Sequence, residues 1–443
     1  MTKDERYTTE GRQFSGVPRL LRTAAVRGRA RRTTAFLKAP LIALCLTLAL
    51  TTPLLGSRTI RAQESAPAAA QGIDLDRVVR DLEPEIQRTM LEGRIPSLTI
   101  ALIAGDRVIW SNGYGYSNIW ARTPAVPSTV YLIGSTFKAM ATVALLQQMQ
   151  EGKFKLDDPV DKYLGDLKIQ NEDSSHPVTF RHLLTHTSGL PADFGAVPVW
   201  SDQAPPSLQD YLSKSLKVTG PPLQKEVYSN MAYSLVGYLV EKLSGVPFKR
   251  YIIEHVWQPL EMTSTTFEPG PGTEERLAIP YVVDEKTHAN VQTVRLKAAV
   301  WPAGLVYGTV LDQANWLILN LNGGMFKGKR VVDQAALEEM FTRQYPQFKG
   351  PIEGIWGKET AGFGLTWWLD QRNGDHYFAH SGSVPGYTAF LLGNRDRKLG
   401  IALMTNGNAA HPHLFKLADR AMDIIIGNST SADTAHRSQA QSK

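Results

Sequence analysis

The spacing of apolar residues predicts the elements at both ends of the folded chain. From Asp74 to Gly93 apolar residues recur at nearly helical intervals, which is typical of an amphipathic surface helix. The next two runs, PSLTIALIAG and DRVIWSNGYGYSN, are rich in β-forming residues and are joined by a Gly-Asp turn, which predicts a hairpin. Near the other end, three more strand-like runs occur in HYFAHSGSVPGYTAFLLGNRDRKLGIALMTN, and a last helix is predicted from about Pro412 to Ile426.

Between these strands lies a long segment, roughly residues 150–300, whose sequence is mostly helical or loop-like. Strands at both ends of such a chain predict one antiparallel β-sheet assembled from the two termini and flanked by helices, with an α-rich inserted lobe. The predicted fold class is therefore α/β in the α+β sense, with one domain over residues 74–427. We expect a small and polar linker over 63–73 and a disordered tail over 428–443.

Residues 1–62 differ in character from the rest of the chain. Residues 1–63 carry twelve Lys/Arg and three Asp/Glu, or +9, which leaves −3 of the total charge of +6 for everything after them. The basic residues precede an apolar stretch, residues 39–57, so they indicate membrane orientation and not nucleic-acid binding. The sequence predicts an exported protein, periplasmic or extracellular, with this stretch acting either as a signal peptide or as an uncleaved anchor. It is the one membrane contact that we expect.

Ser135 and Lys138 lie three positions apart where an apolar helix begins, in STFKAMATVALLQQMQEGK. A step of three residues returns to nearly the same face of a helix, so the Lys138 amine can reach the Ser135 hydroxyl. A serine nucleophile needs a neighbour to accept its proton, and a lysine does so when burial or nearby cations keep it neutral. The structural alternative is that Ser135 is an ordinary N-cap and Lys138 a surface charge.

Tyr228 and Asn230 immediately precede another predicted helix, in EVYSNMAYSLVGYLVEKLSG. A tyrosine beside a lysine can carry the serine proton, and an asparagine can bind Lys138 or a substrate carbonyl group. The structural alternative makes Ser229 or Asn230 an N-cap and Tyr228 a residue at the edge of the core.

A third group of residues, His380, Ser381 and Gly382, lies at the end of a strand-like run in AHSGSVPGY. We expect these residues to line a strand edge that faces a cleft, with the backbone N–H groups of Ser383 and Ser135 forming an oxyanion hole. Gly382 lets an acyl group approach the backbone closely. The alternative is a plain strand followed by a Pro-Gly turn.

In this order, the motifs STFK, YSN and HSG resemble the serine β-lactamase and penicillin-binding protein superfamily, in particular its class C-like branch of β-lactamases, D-alanyl-D-alanine carboxypeptidases and esterases. The stretches VTFRHLLTHTSGLP and PAGLVYGTVLDQANW are also similar to that branch. The resemblance implies a β-lactamase/transpeptidase-like fold over roughly residues 74–427. It also implies that Ser135 is acylated, that Lys138 and Tyr228 share the role of base, and that Asn230 orients Lys138 and the acyl side chain.

His380 is the position at which the sequence departs from true class C β-lactamases, which have a lysine there. A lysine is a permanent cation that binds a substrate carboxylate, whereas a histidine is mostly neutral near neutral pH. We therefore expect an ester, an amide or a D-amino-acid peptide as substrate, with β-lactams as poor substrates. We also expect activity to respond to pH through His380 at roughly pH 6 to 7. Two alternatives are a true class C-like β-lactamase and a non-catalytic protein that binds cell-wall fragments or peptides.

The other chemistry-bearing residues favour structural roles. His182 and His186 have the i,i+4 spacing of a zinc pair, but Leu183 stands where a metalloprotease has its glutamate, so we interpret both histidines as packing residues beneath the cleft. The single cysteine, Cys45, lies in the N-terminal apolar run, and no glycine-rich nucleotide loop follows a predicted strand. No metal and no cofactor is expected. The predicted partner is a small-molecule or peptide acyl substrate, without nucleic acid.

Overall fold

The backbone is described by a computed structural model over residues 72–192, 196–198, 204–348, 360–408 and 410–440. Side chains are described up to Gly427, except over 196–198. The basic leader, the apolar stretch 39–57 and most of the linker lie outside the described residues, so export and anchoring stay predictions. No helix within the described ranges is both long enough and apolar enough to cross a membrane.

Helices and strands of the described chain are numbered here in chain order. The helices are α1 (Leu75–Glu92), α2 (Phe137–Gln150), α3 (Phe180–Leu184), α4 (Leu208–Ser215), α5 (Asn230–Ser244), α6 (Phe248–Ile252), α7 (Val310–Leu321), α8 (Gln334–Glu338) and α9 (His411–Ala440). The strands are β1 (Ser97–Ala104), β2 (Arg107–Asn118), β3 (Thr123–Pro124), β4 (Tyr131–Leu132), β5 (Ala196–Pro198), β6 (Tyr281–Val283), β7 (Asn290–Gln292), β8 (Leu296–Ala298), β9 (Tyr307–Gly308), β10 (Met325–Phe326), β11 (Lys329–Arg330), β12 (Gly362–Phe363), β13 (Trp368–Arg372), β14 (Asp375–Val384), β15 (Tyr387–Asn394) and β16 (Leu399–Thr405).

The main sheet combines strands from both ends of the chain. Its order is β12-β13-β14-β15-β16-β1-β2-β3, and neighbouring strands run antiparallel. Ile100 of β1 pairs with Leu403 of β16 on one side and with Asn112 of β2 on the other. These pairings confirm the predicted hairpin, the three C-terminal strands and the single antiparallel sheet built from the two termini.

Both faces of the sheet are covered, and the alternation of side chains along a strand decides which layer each residue meets. Leu98 and Ile100 belong to the apolar cluster that includes residues of α1 and α9. Ala101 and Ile103 belong to the larger cluster on the other face, together with Phe137 of α2. Strand β14 meets the turn before α2 on this second face, and the candidate site lies at that meeting point.

Helix α2 is buried on every side. The sequence predicts one buried face, but each residue from Phe137 to Gln148 is buried, including Lys138 and Thr142. Helices α5 and α8 and the turn Trp301–Ala303 pack around it, so α2 is enclosed by segments from distant parts of the chain. Because water does not reach a lysine enclosed in this way, its polar partners have to come from the protein.

The last helix, α9, continues beyond the end that the sequence predicts. We expected an end near Ile426 and a disordered tail over 428–443, whereas the backbone is helical from His411 to Ala440. The sequence after Gly427 contains no proline, which would break a helix, and the backbone continues the turns that α9 begins against the sheet.

Candidate active site

Ser135 lies in a tight turn between strand β4 and helix α2. The turn Gly134–Thr136 is a 3-10 helix that starts at a glycine with φ 58°, in the left-handed region that glycine adopts easily. Helix α2 has no side-chain capping bond at its start, and Ser135 is not its N-cap. The capping alternative for Ser135 is therefore wrong, and its partly buried hydroxyl lies within reach of Lys138.

The Lys138 amine connects two of the segments named by the sequence motifs with a third segment at Ala303. Its Nζ lies 3.0 Å from Ser135 Oγ, 2.8 Å from Asn230 Oδ1 and 2.7 Å from the Ala303 carbonyl oxygen. The centroid of the Tyr228 ring lies 4.8 Å from the same nitrogen. Because the whole lysine side chain is buried, the surface-charge alternative for Lys138 is wrong.

Burial lowers the pKa of the Lys138 amine well below its usual value. A neutral amine has two N–H groups to donate and one lone pair to accept. Asn230 Oδ1 and the Ala303 carbonyl oxygen can only accept hydrogen bonds, so they take the two N–H groups. The lone pair is left for the Ser135 hydroxyl, which is the arrangement that a general base for this serine requires.

The segment around Tyr228 enters helix α5 through a capped start. Ser229 is the N-cap, and its Oγ accepts a hydrogen bond from Ala232 N at 3.0 Å. Asn230 is the first residue of α5, and its side chain meets Lys138, one of the two partners expected for it. Tyr228 lies in the loop before the cap, partly buried beside the lysine amine. The capping alternative is therefore correct for Ser229. The side chains of Tyr228 and Asn230 lie beside Lys138 instead.

His380 lies on β14 and is fully buried. Its Nδ1 lies 2.6 Å from the carbonyl oxygen of Ser381. In the neutral ring Nδ1 therefore carries the proton, and this N–H donates a hydrogen bond to that oxygen. Nε2 then presents a lone pair, and this buried atom has no hydrogen-bond partner in the described part of the chain. The ring stacks on Trp368 at a centroid distance of 4.9 Å and lies 6.4 Å from the Tyr228 ring.

The burial of His380 overturns the pH response expected from the sequence. Burial is the main cause, and Lys138 the next, of a fall in the pKa of His380 to about 3. The imidazole therefore stays neutral around neutral pH and has no change of charge to contribute there. The expectation of a pH response through His380 is wrong, because the sequence does not show that this ring lies out of contact with water.

The side chain of Ser381 faces away from the cleft. Successive side chains on a strand point to opposite faces, so Ser381 and His380 lie on opposite sides of the sheet. Ser381 Oγ lies 2.7 Å from Nε2 of His411, on the face covered by α1 and α9. The Ser381 side chain therefore takes no part in the cleft, and the expectation that Ser381 lines the strand edge there concerns its backbone alone.

The backbone of β14 lies directly against the Ser135 turn. A Cβ atom added to Gly382 would lie 2.0 Å from the Ile133 carbonyl oxygen and 2.9 Å from Ser135 N. A Cβ atom added to Gly134 would lie 3.0 Å from Ser383 N. Only glycine fits at Gly382 without a backbone shift, because the Ser135 turn packs directly against it. The approach of an acyl group to this backbone stays a prediction. The two N–H groups expected to form an oxyanion hole belong to segments in contact with each other.

Three further residues shape the site but carry only weak sequence signals. Ala303 supplies the second acceptor for Lys138, and the following Gly304 packs its Cα against the Ser135 turn, where an added Cβ would lie 2.8 Å from the Gly134 carbonyl carbon. The first glycine in PAGLVYG, Gly304, is the signal that indicates this close approach. Trp368 stacks on His380, and the sequence indicates for this tryptophan either a place lining the cleft or a place in the core.

Known proteins resemble this chain over most of its described length. The family model described as Beta-lactamase matches residues 76–424. The chain is 25% identical to Protein flp of Staphylococcus aureus (strain MW2) over 338 residues, which are 75% of this chain and 64% of that protein. It is 24% identical to Beta-lactamase-like protein 2 of Dictyostelium discoideum over 361 residues, which are 80% of this chain and 63% of that protein. The chain thus spans less than two thirds of the length of these curated relatives.

A solved structure shares the fold. The octameric penicillin-binding protein homologue from Pyrococcus abyssi aligns with a TM-score of 0.65 and 28% sequence identity, over 79% of this chain and 77% of that one. This likeness agrees with the antiparallel sheet, the flanking helices and the inserted lobe described above. The chain therefore belongs to the beta-lactamase family, within the superfamily of serine β-lactamases and penicillin-binding proteins.

Proposed function

We propose that this protein is a serine hydrolase that transfers an acyl group to water through an ester on Ser135, with an ester, an amide or a D-amino-acid peptide as substrate. The observation that carries the proposal is the buried Lys138 amine, which lies 3.0 Å from Ser135 Oγ with its other polar contacts on two acceptors. Burying a lysine costs stability, and a protein that only binds peptides gains nothing from a base aimed at a serine hydroxyl.

In the proposed acylation, the Ser135 hydroxyl proton passes to the lone pair of Lys138 while Oγ attacks the substrate carbonyl carbon. The carbonyl π electrons move onto oxygen, where the N–H groups of Ser135 and Ser383 stabilise the negative charge. The proton then passes to the leaving oxygen or nitrogen, through Lys138 and the neighbouring Tyr228, as the bond to the leaving group breaks. Attack of water on the Ser135 ester follows the same path and releases the acid.

The uncharged ring of His380 is an argument that the substrate carries no carboxylate near the scissile bond. The His380 ring is uncharged, and its Nδ1–H donates a hydrogen bond to the Ser381 carbonyl oxygen, so the ring brings no positive charge to the cleft. A substrate carboxylate placed against this ring would be desolvated beside a lone pair instead of a cation. Esters and amides without a carboxylate near the scissile bond are therefore the preferred substrates. A β-lactam antibiotic, which carries such a carboxylate, is a poor one.

Covalent labelling of Ser135 is the first test. Ser135→Ala should abolish labelling by a serine-directed fluorophosphonate and by a fluorescent penicillin without lowering the thermal unfolding temperature. Lys138→Met keeps a long apolar side chain but has no base, and it should slow labelling by about 10²- to 10⁴-fold. Ser175→Ala, at an exposed serine, is the matched control and should label like the wild type. Undiminished labelling of Ser135→Ala would remove this serine from the mechanism.

Steady-state turnover separates the hydrolase from its alternatives. Residues 63–443 should be assayed with p-nitrophenyl esters, D-amino-acid peptides and nitrocefin. We expect sustained turnover of at least one ester or peptide and slow hydrolysis of nitrocefin. Labelling without any turnover would favour a peptide-binding protein, and nitrocefin hydrolysis faster than ester hydrolysis would favour a true β-lactamase.

Export is part of the proposal, because residues 1–62 combine a basic leader with an apolar segment. The substrate would then be met outside the cytoplasm. Cell fractionation of the full chain, followed by sequencing of its N-terminus, tests this step and shows whether residues 39–57 are removed. Recovery of the intact chain in the cytoplasmic fraction would contradict it.

A further inference from the structure

His186 follows helix α3 in a conformation that few side chains adopt. Its φ is 59°, in the left-handed region, and the residue is 1% exposed. Residues other than glycine are uncommon in this region, although Asn, Asp and His are enriched there. A buried residue keeps a strained backbone conformation only when its surroundings hold it there. The contacts of His186 therefore indicate which part of the protein depends on this conformation.

The contacts of His186 enclose one residue of the candidate site. Its carbonyl oxygen accepts a hydrogen bond from Val227 N at 2.8 Å, and its ring Nδ1 accepts one from Ser229 N at 3.0 Å. The residue between these two donors is Tyr228, whose ring centroid lies 4.2 Å from that of the imidazole at an interplanar angle of 33°. One residue therefore holds the backbone on both sides of Tyr228 and also packs against its ring.

The bond from Ser229 determines the tautomer of His186. A ring nitrogen that accepts an N–H cannot carry a proton itself, so the neutral ring is protonated at Nε2. This Nε2 is buried and has no hydrogen-bond partner among the described residues. Burial, with Lys138 and then His380 as further causes, lowers the pKa of His186 well below its usual value, so the ring keeps this neutral form.

We propose that His186 is a positioning residue for Tyr228: by holding the N–H groups of Val227 and Ser229 it sets where the phenol stands relative to Lys138 and Ser135. The inference rests on the role given to Tyr228 in the proposed function, and it goes beyond the packing role that the sequence indicates. Tyr228 lies close enough to the Lys138 amine, 4.8 Å from ring centroid to Nζ, for a shift of about 1 Å to alter the proton path.

Two amide variants separate the hydrogen bond from packing. In His186→Asn, Oδ1 lies the same number of bonds from Cβ as Nδ1 does, and asparagine also tolerates the left-handed region. In His186→Gln the amide lies one bond further out, near the place of Nε2, so it does not replace the acceptor for Ser229 N. Both variants lose the ring contact with Tyr228, and their thermal unfolding temperatures report any difference in backbone strain.

The expected result is a difference in reactivity between the two variants. His186→Gln should lower the second-order rate constant for fluorophosphonate labelling of Ser135 by about 10- to 100-fold, and His186→Asn should keep it within about threefold. With a p-nitrophenyl ester the loss should fall on kcat and not on KM, because Tyr228 handles the proton and not substrate binding. Equal labelling rates for the two variants, or a loss confined to KM, would overturn the inference.

Tyr228→Phe, alone and combined with His186→Gln, distinguishes this inference from the proposed function. If His186 acts through Tyr228, the double variant should be slower than Tyr228→Phe by no more than about threefold. Losses that multiply in the double variant would overturn the role of His186 and leave the proposed function intact. A Tyr228→Phe variant that labels as fast as the wild type would overturn the role of Tyr228, and the role of His186 with it.

If His186→Gln does not fold, the tautomer of His186 in the wild-type protein tests whether its ring accepts the hydrogen bond from Ser229 N. Nitrogen-15 NMR of His186, assigned by comparison with His186→Asn, should show an unprotonated Nδ1 and a protonated Nε2 at neutral pH. A protonated Nδ1 would exclude the bond from Ser229 N and would overturn the inference.

Discussion

Replacing Gly382 with alanine tests the contact between β14 and the Ser135 turn. The added Cβ atom would lie 2.0 Å from the Ile133 carbonyl oxygen and 2.9 Å from Ser135 N. Both are backbone atoms, so neither can rotate away as a side chain would. Real Cβ atoms essentially never approach another heavy atom below 3.0 Å, so the first distance has to grow from 2.0 to at least 3.0 Å, a separation of 1.0 Å between the two segments.

A separation of this size would change the distance between the two proposed oxyanion donors. Ser383 follows Gly382 on β14, so its N–H moves away from the N–H of Ser135 as the segments part. Misplacing reacting groups by 1 Å costs about 10²-fold in rate, and losing one oxyanion donor costs about 10²- to 10³-fold. We therefore expect Gly382→Ala to lower the labelling rate constant of Ser135 by about 10²-fold. Overpacking should reduce the free energy of unfolding by about 1–3 kcal/mol.

The assay is fluorophosphonate labelling under pseudo-first-order conditions, with urea unfolding measured on the same samples. Gly400→Ala is the matched control, because Gly400 lies on β16 of the same sheet and its added Cβ would meet side-chain atoms of Leu321 at 3.1 Å and Ile103 at 3.3 Å. The Leu321 side chain can rotate, and the contact with the Ile103 Cβ needs a shift of only a few tenths of an ångström, so the control should label like the wild type. A folded Gly382→Ala variant with the wild-type labelling rate would refute the oxyanion-hole reasoning.

Three further predictions concern pH dependence and the back of the sheet. Because burial lowers the pKa of His380 to about 3, His380→Gln should change the height of the kcat/KM profile between about pH 5 and 9 but not its shape; a limb that disappears in the variant would contradict this. Burial raises the pKa of the Asp312 carboxyl to about 6, so the folded state binds this proton more tightly than the unfolded state does. The stability that the bound proton contributes to the fold is lost as pH rises through that value. In urea unfolding, the free energy of unfolding of the wild type relative to Asp312→Asn should fall by up to about 3 kcal/mol between about pH 4 and 7, and a difference that is constant or rises would be inconsistent with it. Ser381→Ala loses its bond to His411 behind the sheet, so it should lower the free energy of unfolding by about 1 kcal/mol and leave the labelling of Ser135 within about twofold; a much larger loss of labelling would return Ser381 to the site.

The sequence predicted elements well where local signals agree. Helix α1 begins after Asp74, whose side chain accepts a hydrogen bond from Arg77 N, and it ends at Gly93, as capping residues at both ends indicate. Helix α2 was predicted less well. Its apolar residues favour one face, but the burial of Lys138 and Thr142 depends on helices from distant parts of the chain, which periodicity does not report.

The order of the three motifs was sufficient to group the residues of the candidate site, but not to give their states. The two acceptors that bind the Lys138 amine, Asn230 and Ala303, lie 92 and 165 residues further along the chain. Only the first of them belongs to a motif. His186 shows the same limit, because its bond to Ser229 N joins residues 43 positions apart and the sequence indicates no more than packing.

Local pattern was enough for the first hairpin, the three C-terminal strands, helix α1 and the placement of Ser135 and Lys138 within reach of each other, because periodicity, capping and a three-residue step depend on neighbours along the chain. Packing alone determined that the Lys138 amine has its pKa lowered, that His380 stays neutral and that the Ser381 side chain lies behind the sheet. The reason is that desolvation depends on which distant segments enclose a group, and the face to which a strand residue points depends on where the sheet places its core.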